Sequence, residues 1–274
     1  MAPAQGDSAT VDVYQTLQIE REGAIEWLTL NRPERLNALS RQMCDELQAY
    51  FGRLYTDHDV RVVILRGAGR GFCAGFDLKD TADFSTGPAD GMRAQRRVSE
   101  VILRMRRCPQ PIIALIDGPA SGGGFALALA SDVRYATPKA RMNVAMAKVG
   151  LTGCDMGISY FLPKTVGVSV AAELMMSGRF INAERGLSLG LISEVVEPED
   201  LAATGRQLAQ DMLSLSPLGL RLTKEGLNVA LSAGSLEQAI ALEDRGQILC
   251  ASAGYFDEGI TAFIEKRDPV YTED

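Results

Sequence analysis

Three consecutive glycines, Gly122, Gly123 and Gly124, stand at the mouth of an apolar helix in the stretch "ASGGGFALALASD", residues 120–132. Glycine loses more backbone freedom on folding than any other residue, and inside a helix it costs roughly 0.5–1 kcal/mol against alanine. A chain that accepts this three times running needs bare backbone where side chains would otherwise stand. The residues that directly follow, Phe125 to Ala130, carry no acid, base or nucleophile. The backbone amides are therefore the candidate working groups, because the first N–H groups of a helix have no partner within it.

The surroundings of the triplet set the fold class. "PIIALID" (111–117) reads as a buried strand that stops at Gly118-Pro119, and "DVRYAT" (132–137) as a short strand after the helix. Further upstream, alternation over residues 13–30 predicts a hairpin turning at Glu22-Gly23. Ser40 is placed to cap the helix "RQMCDELQAYFGRLY", and the β-branched run "VRVVILRG" (60–67) predicts a second buried strand. A polar stretch without pattern (80–91) leads into the basic helix "MRAQRRVSEVILRMRRC". Strand, loop, helix and strand at this rhythm is the βαβ pattern of a parallel sheet. From about residue 199 only helical patterns remain, in four segments beginning "DLAATG", "PLGLRL", "SLEQAI" and "FDEGIT". The expectation is an α/β core over 13–198, a loose tail over 1–12 and a helical C-terminal region over 199–274.

Composition narrows the function classes. With 46% hydrophobic and 23% charged residues in 274 and a mean hydropathy of +0.01, the chain has the make-up of an ordinary globular protein. A net charge of −7 argues against a nucleic-acid surface, and no run approaches the ~20 apolar residues of a membrane span. The five cysteines lack CxxC spacing and the first dozen residues lack an apolar targeting core, which predicts reduced thiols in the cytoplasm. The sole histidine, His58, lies between two aspartates in "TDHDV" and reads as a solvated loop residue. A Ser/His/Asp triad or a histidine-bound metal has no support, and no metal is expected.

A second glycine-rich loop, "GRGFCAGFDLKD" (69–80), also follows a buried strand. Ligands of parallel α/β sheets collect beyond the carboxyl ends of the strands, so the two loops can face one pocket. Neither loop is GxxxxGK[ST], and GxGxxG is absent, which argues against nucleotide phosphates. Two readings remain on spacing alone: tight turns with close helix packing, or two N–H donors converging into an oxyanion hole. The pairing of the loops favours the second.

Four segments, "NRPERLNALS" (31–40), "GFCAGFDLKD", "GPASGGGFALALASDVRYAT" and "GRFINAERGLSLGLISEVV" (178–196), resemble in order those of the crotonase, or enoyl-CoA hydratase/isomerase, superfamily. The resemblance runs from about residue 13 to 267. It implies a core of repeated ββα units, a helical C-terminal region that makes trimer contacts, trimers that pair into hexamers, and acyl-CoA thioesters as substrates. No separate cofactor is implied, since coenzyme A is part of the substrate. By position the oxyanion donors would be the backbone N–H groups of Phe76 and Gly123. Glu34, Arg35, Leu36 and Ala74 match the stretches that line the CoA arm, and Asp77 and Leu78 match positions near the adenine. Phe263 and Lys266 match a C-terminal segment that reaches a CoA phosphate in some members, from a neighbouring subunit; a solvated helix end is the other reading of Lys266.

The resemblance breaks at the acids. Hydratases of the family place two glutamates where this chain has Ala126 and Met146, and neither can move a proton. The nearest acid is Asp155 in "MAKVGLTGCDMGISYFLP", close to where isomerase and dehalogenase-like members carry a single carboxylate. It reads either as that carboxylate or as an N-cap or first-turn acid of the helix beginning "ISYF". Cys154, with no histidine to activate it, reads as a small pocket-lining residue. Double-bond isomerisation with one carboxylate is the leading reading. A hydratase with a different acid and an acyl-CoA binding protein with reduced catalysis are the alternatives. Phe84, Met92, Met142 and Met146 are offered as pocket lining, and the arginines of the basic helix are assigned no role.

Overall fold

A computed structural model describes residues 14–80 and 87–271. The expected hairpin is present: β1 (Leu17–Glu22) and β2 (Ile25–Leu30) pair antiparallel, with Leu17 opposite Leu30 and Glu22 opposite Ile25. β3 (Val62–Gly67), β4 (Ile112–Ile116), β6 (Val133–Ala136) and β9 (Glu194–Val195) extend it in parallel into a six-stranded sheet of order β1-β2-β3-β4-β6-β9.

Period-two alternation divides the strand residues between two cores. Trp27, Val62, Ile64, Ile113 and Leu115 face one side, where they meet Leu201 and Ala209 of α7 (Leu201–Leu213) and Leu220 of α8 (Pro217–Ala230). Leu28, Leu30, Val63, Leu65, Ile112 and Ala114 face the other. There they pack on α1 (Arg41–Leu54), α2 (Pro88–Arg107) and α3 (Gly123–Ala130). Every residue of α3 is buried, which explains why that helix has no polar stripe.

The sequence-level boundaries hold in several places. The Ser40 hydroxyl accepts from the Met43 N–H at 3.2 Å and starts α1 as expected. His58 is an exposed loop residue. The basic helix begins earlier than its apolar periodicity shows, at Pro88, whose missing N–H is one of the unpaired groups of a first turn anyway. A second sheet was not anticipated at all. Pro119–Ser121 forms β5, which pairs in parallel with β7 (Arg141–Asn143), and β7 pairs antiparallel with β8 (Ile181–Asn182). These strands are two or three residues long, too short to show alternation. The C-terminal helices are completed by α9 (Leu236–Ser252) and α10 (Tyr255–Glu265).

Candidate active site

The loop after β3 is held by isolated bridges between β5 on one side and residues 36–39 on the other. On one side the Cys73 N–H donates to the Pro119 carbonyl at 3.1 Å, and the Cys73 carbonyl accepts from Ser121 at 2.9 Å. On the other, Ala74 donates to the Leu36 carbonyl at 2.9 Å, Leu39 donates to the Gly75 carbonyl at 2.7 Å, and Asp77 donates to the Leu39 carbonyl at 2.9 Å. A trans peptide points its N–H opposite its C=O. Because the Gly75 carbonyl faces Leu39, the Phe76 N–H faces away from it, toward the side where β5 runs into the glycine triplet.

Three bare backbone positions let the two loops touch. Gly75 has φ +99°, and a Cβ there would lie 2.7 Å from the Ser121 carbonyl oxygen and 3.5 Å from the Gly123 nitrogen. Gly122 precedes α3 with φ +51°, and a Cβ on Gly124 would stand 2.2 Å from the Cys73 oxygen. A side chain at Gly75 or Gly124 would collide with backbone, and at Gly122 the left-handed φ disfavours one. The Gly122 N–H is bound, donating to the Asn143 carbonyl at 2.9 Å. Gly123 opens α3, and among the described residues nothing accepts from its N–H.

The wall around this point is apolar. A Cβ on Gly123 would meet Leu39 Cδ1 at 2.7 Å and Met156 Sδ at 3.2 Å. The Met146 methyl lies 4.0 Å, and the Ala145 Cβ 3.5 Å, from the Cβ position of Gly122. Ala126 is fully buried one turn into α3, so both positions that carry glutamates in the two-acid pattern are apolar and buried here.

Asp155 does not cap a helix. The N-cap of α4 (Ile158–Val166) is Gly157 at φ +78° without a side-chain cap bond, and Asp155 contributes only its backbone carbonyl, which accepts from Ile158 at 2.8 Å. That corrects the capping alternative: the extra residue Met156, held at φ +45°, moves the carboxylate out of register with the first turn. The carboxylate instead accepts from the side-chain amide of Gln95 on α2, Nε2 to Oδ1 at 2.5 Å. Met156, its chain neighbour, is the residue that reaches Gly123. Cys154 is exposed rather than lining an enclosed pocket.

Met156 and Gly157 also line a cavity of about 460 Å³ between α2, α4 and α8, whose apolar wall includes Ile102, Leu103, Phe161 and Leu231. Arg106 at its rim is committed to Asp132 at 2.9 Å. Of the other lining expectations, Met142 is buried on β7 against Gly186 rather than at this site, and Met92 is half-exposed on α2. Phe84 lies outside the described residues.

The segment matched to the CoA arm adjoins the same loop. Glu34 and Arg35 are exposed in a single 3-10 turn that ends at Leu36 and Asn37, both in the left-handed region at φ +50° and +55°. Asn37, which the sequence reading passed over, fixes that turn. Its buried amide donates to the carbonyls of Ala68 and Gly71, each at 2.8 Å, and its oxygen accepts from the Arg32 N–H at 2.9 Å. Asp77 is bound to Arg32 at 2.9 Å. Burial pushes the Asp77 carboxyl up, but the Arg32 guanidinium and the Lys79 amide together outweigh it and hold the group below its ordinary value. Leu78 is 66% exposed. Phe263 and Lys266 stand apart: α10 packs chiefly on α9, and no hydrogen bond or ion pair among the described residues links either one to the glycine loops.

Comparison with known proteins agrees with this architecture. The enoyl-CoA hydratase/isomerase family model matches residues 20–274. The chain is 41% identical to the "Probable enoyl-CoA hydratase echA12" of Mycobacterium leprae, over 90% of this chain and 86% of that protein. It is 37% identical to the 1,2-epoxyphenylacetyl-CoA isomerase of Escherichia coli, over 92% of this chain and 96% of that one. The crystal structure of an enoyl-CoA hydratase from Bacillus anthracis superposes with a TM-score of 0.90 at 30% identity, covering 95% of this chain and 100% of that one. With its two sheets, the meeting of both glycine loops and a family match over nearly its whole length, this chain belongs to the enoyl-CoA hydratase/isomerase (crotonase) family, whose members act on acyl-CoA thioesters.

Proposed function

We propose that this chain moves a carbon–carbon double bond along an acyl-CoA thioester, using Asp155 as its single acid/base. The carrying observation is the contrast between Ala126 and Met146, apolar and buried, and Asp155, whose chain neighbour Met156 packs against Gly123. The thioester oxygen accepts from the N–H groups of Phe76 and Gly123. The Asp155 carboxylate takes a proton from C2 of a 3-enoyl thioester, and the negative charge passes to that oxygen, where the two amides stabilise it. The same carboxyl returns the proton at C4, which leaves a 2-enoyl thioester with no net gain or loss of atoms. The apolar wall of Leu39, Met146 and Met156 disfavours the ordered water that addition would need. The cavity beyond Met156 accommodates the acyl chain, and Glu34, Arg35, Leu36, Ala74, Asp77 and Leu78 line the path of the CoA arm.

The assembly we infer is a homotrimer or a pair of trimers, in which Phe263 and Lys266 serve a neighbouring subunit's CoA. The support is apolar surface: Met176, Phe263 and Ile264 are 86%, 83% and 72% exposed. No helix among the described residues is long and apolar enough to cross a membrane, and five free thiols fit a reducing cytoplasm.

The test is incubation with 3-hexenoyl-CoA and 2-hexenoyl-CoA in deuterium oxide, followed by mass spectrometry. Migration of the double bond is expected, with the C2 proton carried to C4 and deuterium entering only where the Asp155 carboxyl exchanges with solvent before returning it. A 3-hydroxyacyl product would instead establish hydration, the activity named for the M. leprae relative. Asp155→Asn is expected to lower isomerisation by a factor of ~10² or more while CoA-ester affinity holds, and unchanged turnover would remove Asp155 from the reaction.

A further inference from the structure

The Asp155 carboxylate has one partner among the described residues, and it is neutral. Gln95 Nε2 donates to Oδ1 at 2.5 Å and lies 3.4 Å from the hydroxyl of Ser99, one turn further along α2. Both Gln95 and Asp155 are half-buried, and Ser99 is itself part of the wall of the 460 Å³ cavity. No lysine or arginine among the described residues lies within ion-pair distance of Asp155, although α2 carries six arginines. Five of them turn to other acids: Arg93 to Asp90, Arg97 to Asp45, Arg104 and Arg107 to Glu100, and Arg106 to Asp132.

We propose that Gln95 is a positioning residue for the base: its amide fixes Oδ1 of Asp155 and leaves Oδ2 to carry the proton. This rests on the reading of Asp155 as the acid/base. A guanidinium in the same place would hold the carboxylate more tightly, but would weaken it as a base through opposite charge. A carboxamide orients the group and neither neutralises it nor exchanges protons with it, so the proton taken from one carbon stays available for the other. The anchor comes from α2, in the α1/α2/α3 layer of the core, whereas Asp155 stands on an irregular turn. A turn alone would let the carboxylate rotate. Half-buried beside α2 and tied at 2.5 Å, it is held in one orientation.

The experiment compares wild type, Gln95→Leu, Gln95→Glu and Asp155→Asn, with 3-hexenoyl-CoA isomerisation followed across pH and folding followed by thermal melting. Gln95→Leu is expected to lower kcat about 10–100-fold, the worth of one hydrogen bond to a charged group, with KM within about twofold. Gln95→Glu sets two carboxyls on shared protons, so the acid limb of its pH–rate profile is expected to move up by about one unit or more. A residue that merely packs would alter melting but not that limb. If Asp155→Asn is inactive while Gln95→Leu keeps kcat within twofold and the limb of Gln95→Glu does not move, the positioning role is overturned and the base reading stands. If Asp155→Asn retains full turnover, or wild type does not isomerise the probe, the base reading falls and the role of Gln95 falls with it.

Discussion

At the scale of single residues, the site depends on atoms that are missing as much as on those present. Gly123→Ala adds a methyl group 2.7 Å from Leu39 Cδ1 and 3.2 Å from Met156 Sδ, beside the amide proposed to bind the thioester oxygen. Its φ is not in the left-handed region, so the fold tolerates the change better than the chemistry does. We expect thermal melting to shift by a few degrees while kcat falls ~10²–10³-fold, the range for loss of one oxyanion donor; a kcat within twofold of wild type would remove this amide from the site. Cysteine chemistry gives a second residue-level readout. Burial pushes the thiols of Cys44 and Cys73 up to about 12, whereas Cys154 is exposed. At pH 8 a thiol reagent is expected to label Cys154 in the folded protein, and Cys44 and Cys73 only on the timescale of unfolding. Rapid labelling of either buried thiol would contradict the packing described.

At the scale of elements, the turn over residues 32–37 and the loop over 69–80 form one unit. Asn37 ties the turn to the Ala68 and Gly71 carbonyls, and Arg32 ties it to Asp77. Asp77 has its carboxyl held below the ordinary value in the folded protein. The sign follows from linkage: the contribution is present above the unfolded value, about 3.9, and is lost as pH falls through the folded one. Asp77→Asn should therefore be less stable than wild type near pH 7, and the gap should close below about pH 4. Urea unfolding at both pH values checks this, and a gap that widens in acid would refute it. The partnership was partly legible: the resemblance of both segments to one family implied that they lie near each other. The Asn37 staple was not, because its partners are some thirty residues away and nothing local marks the residue.

At the scale of the whole molecule, a buried polar network fastens the C-terminal helices to the core. Lys224 on α8, its side chain 5% exposed, meets Asp132 at 2.8 Å and donates to the Gln110 carbonyl at 2.7 Å. Asp132 also holds Arg106 at 2.9 Å and accepts from the Ile112 N–H at 2.8 Å. Lys224→Met removes one charge from this cluster. Because Asp132 keeps Arg106, the expected loss is about 3 kcal/mol, the low end for breaking a buried pair. Denaturant titration measures it directly, and a loss under about 0.5 kcal/mol would mean that α8 is held by its apolar contacts alone.

The sequence by itself determined the elements whose signals are local. Alternation shows the hairpin, short apolar runs show the three parallel strands that follow it, Ser40 marks the start of α1, and the glycine triplet marks a helix mouth where backbone has to come close to something. It also put Ala126 and Met146, which bear no acid, at the positions where the family resemblance implies glutamates. The tertiary structure decided what lies between distant segments. It brought Gly75 against Gly123, formed a second sheet from strands too short to have a period, and set the Asp155 side chain on Gln95 rather than on a helix end. The physical reason is range. Hydrophobic period, turn chemistry and capping act over a few residues and are written along the chain. The direction of a carboxylate is set by whichever group packing brings within hydrogen-bond distance, and here that group is sixty residues away.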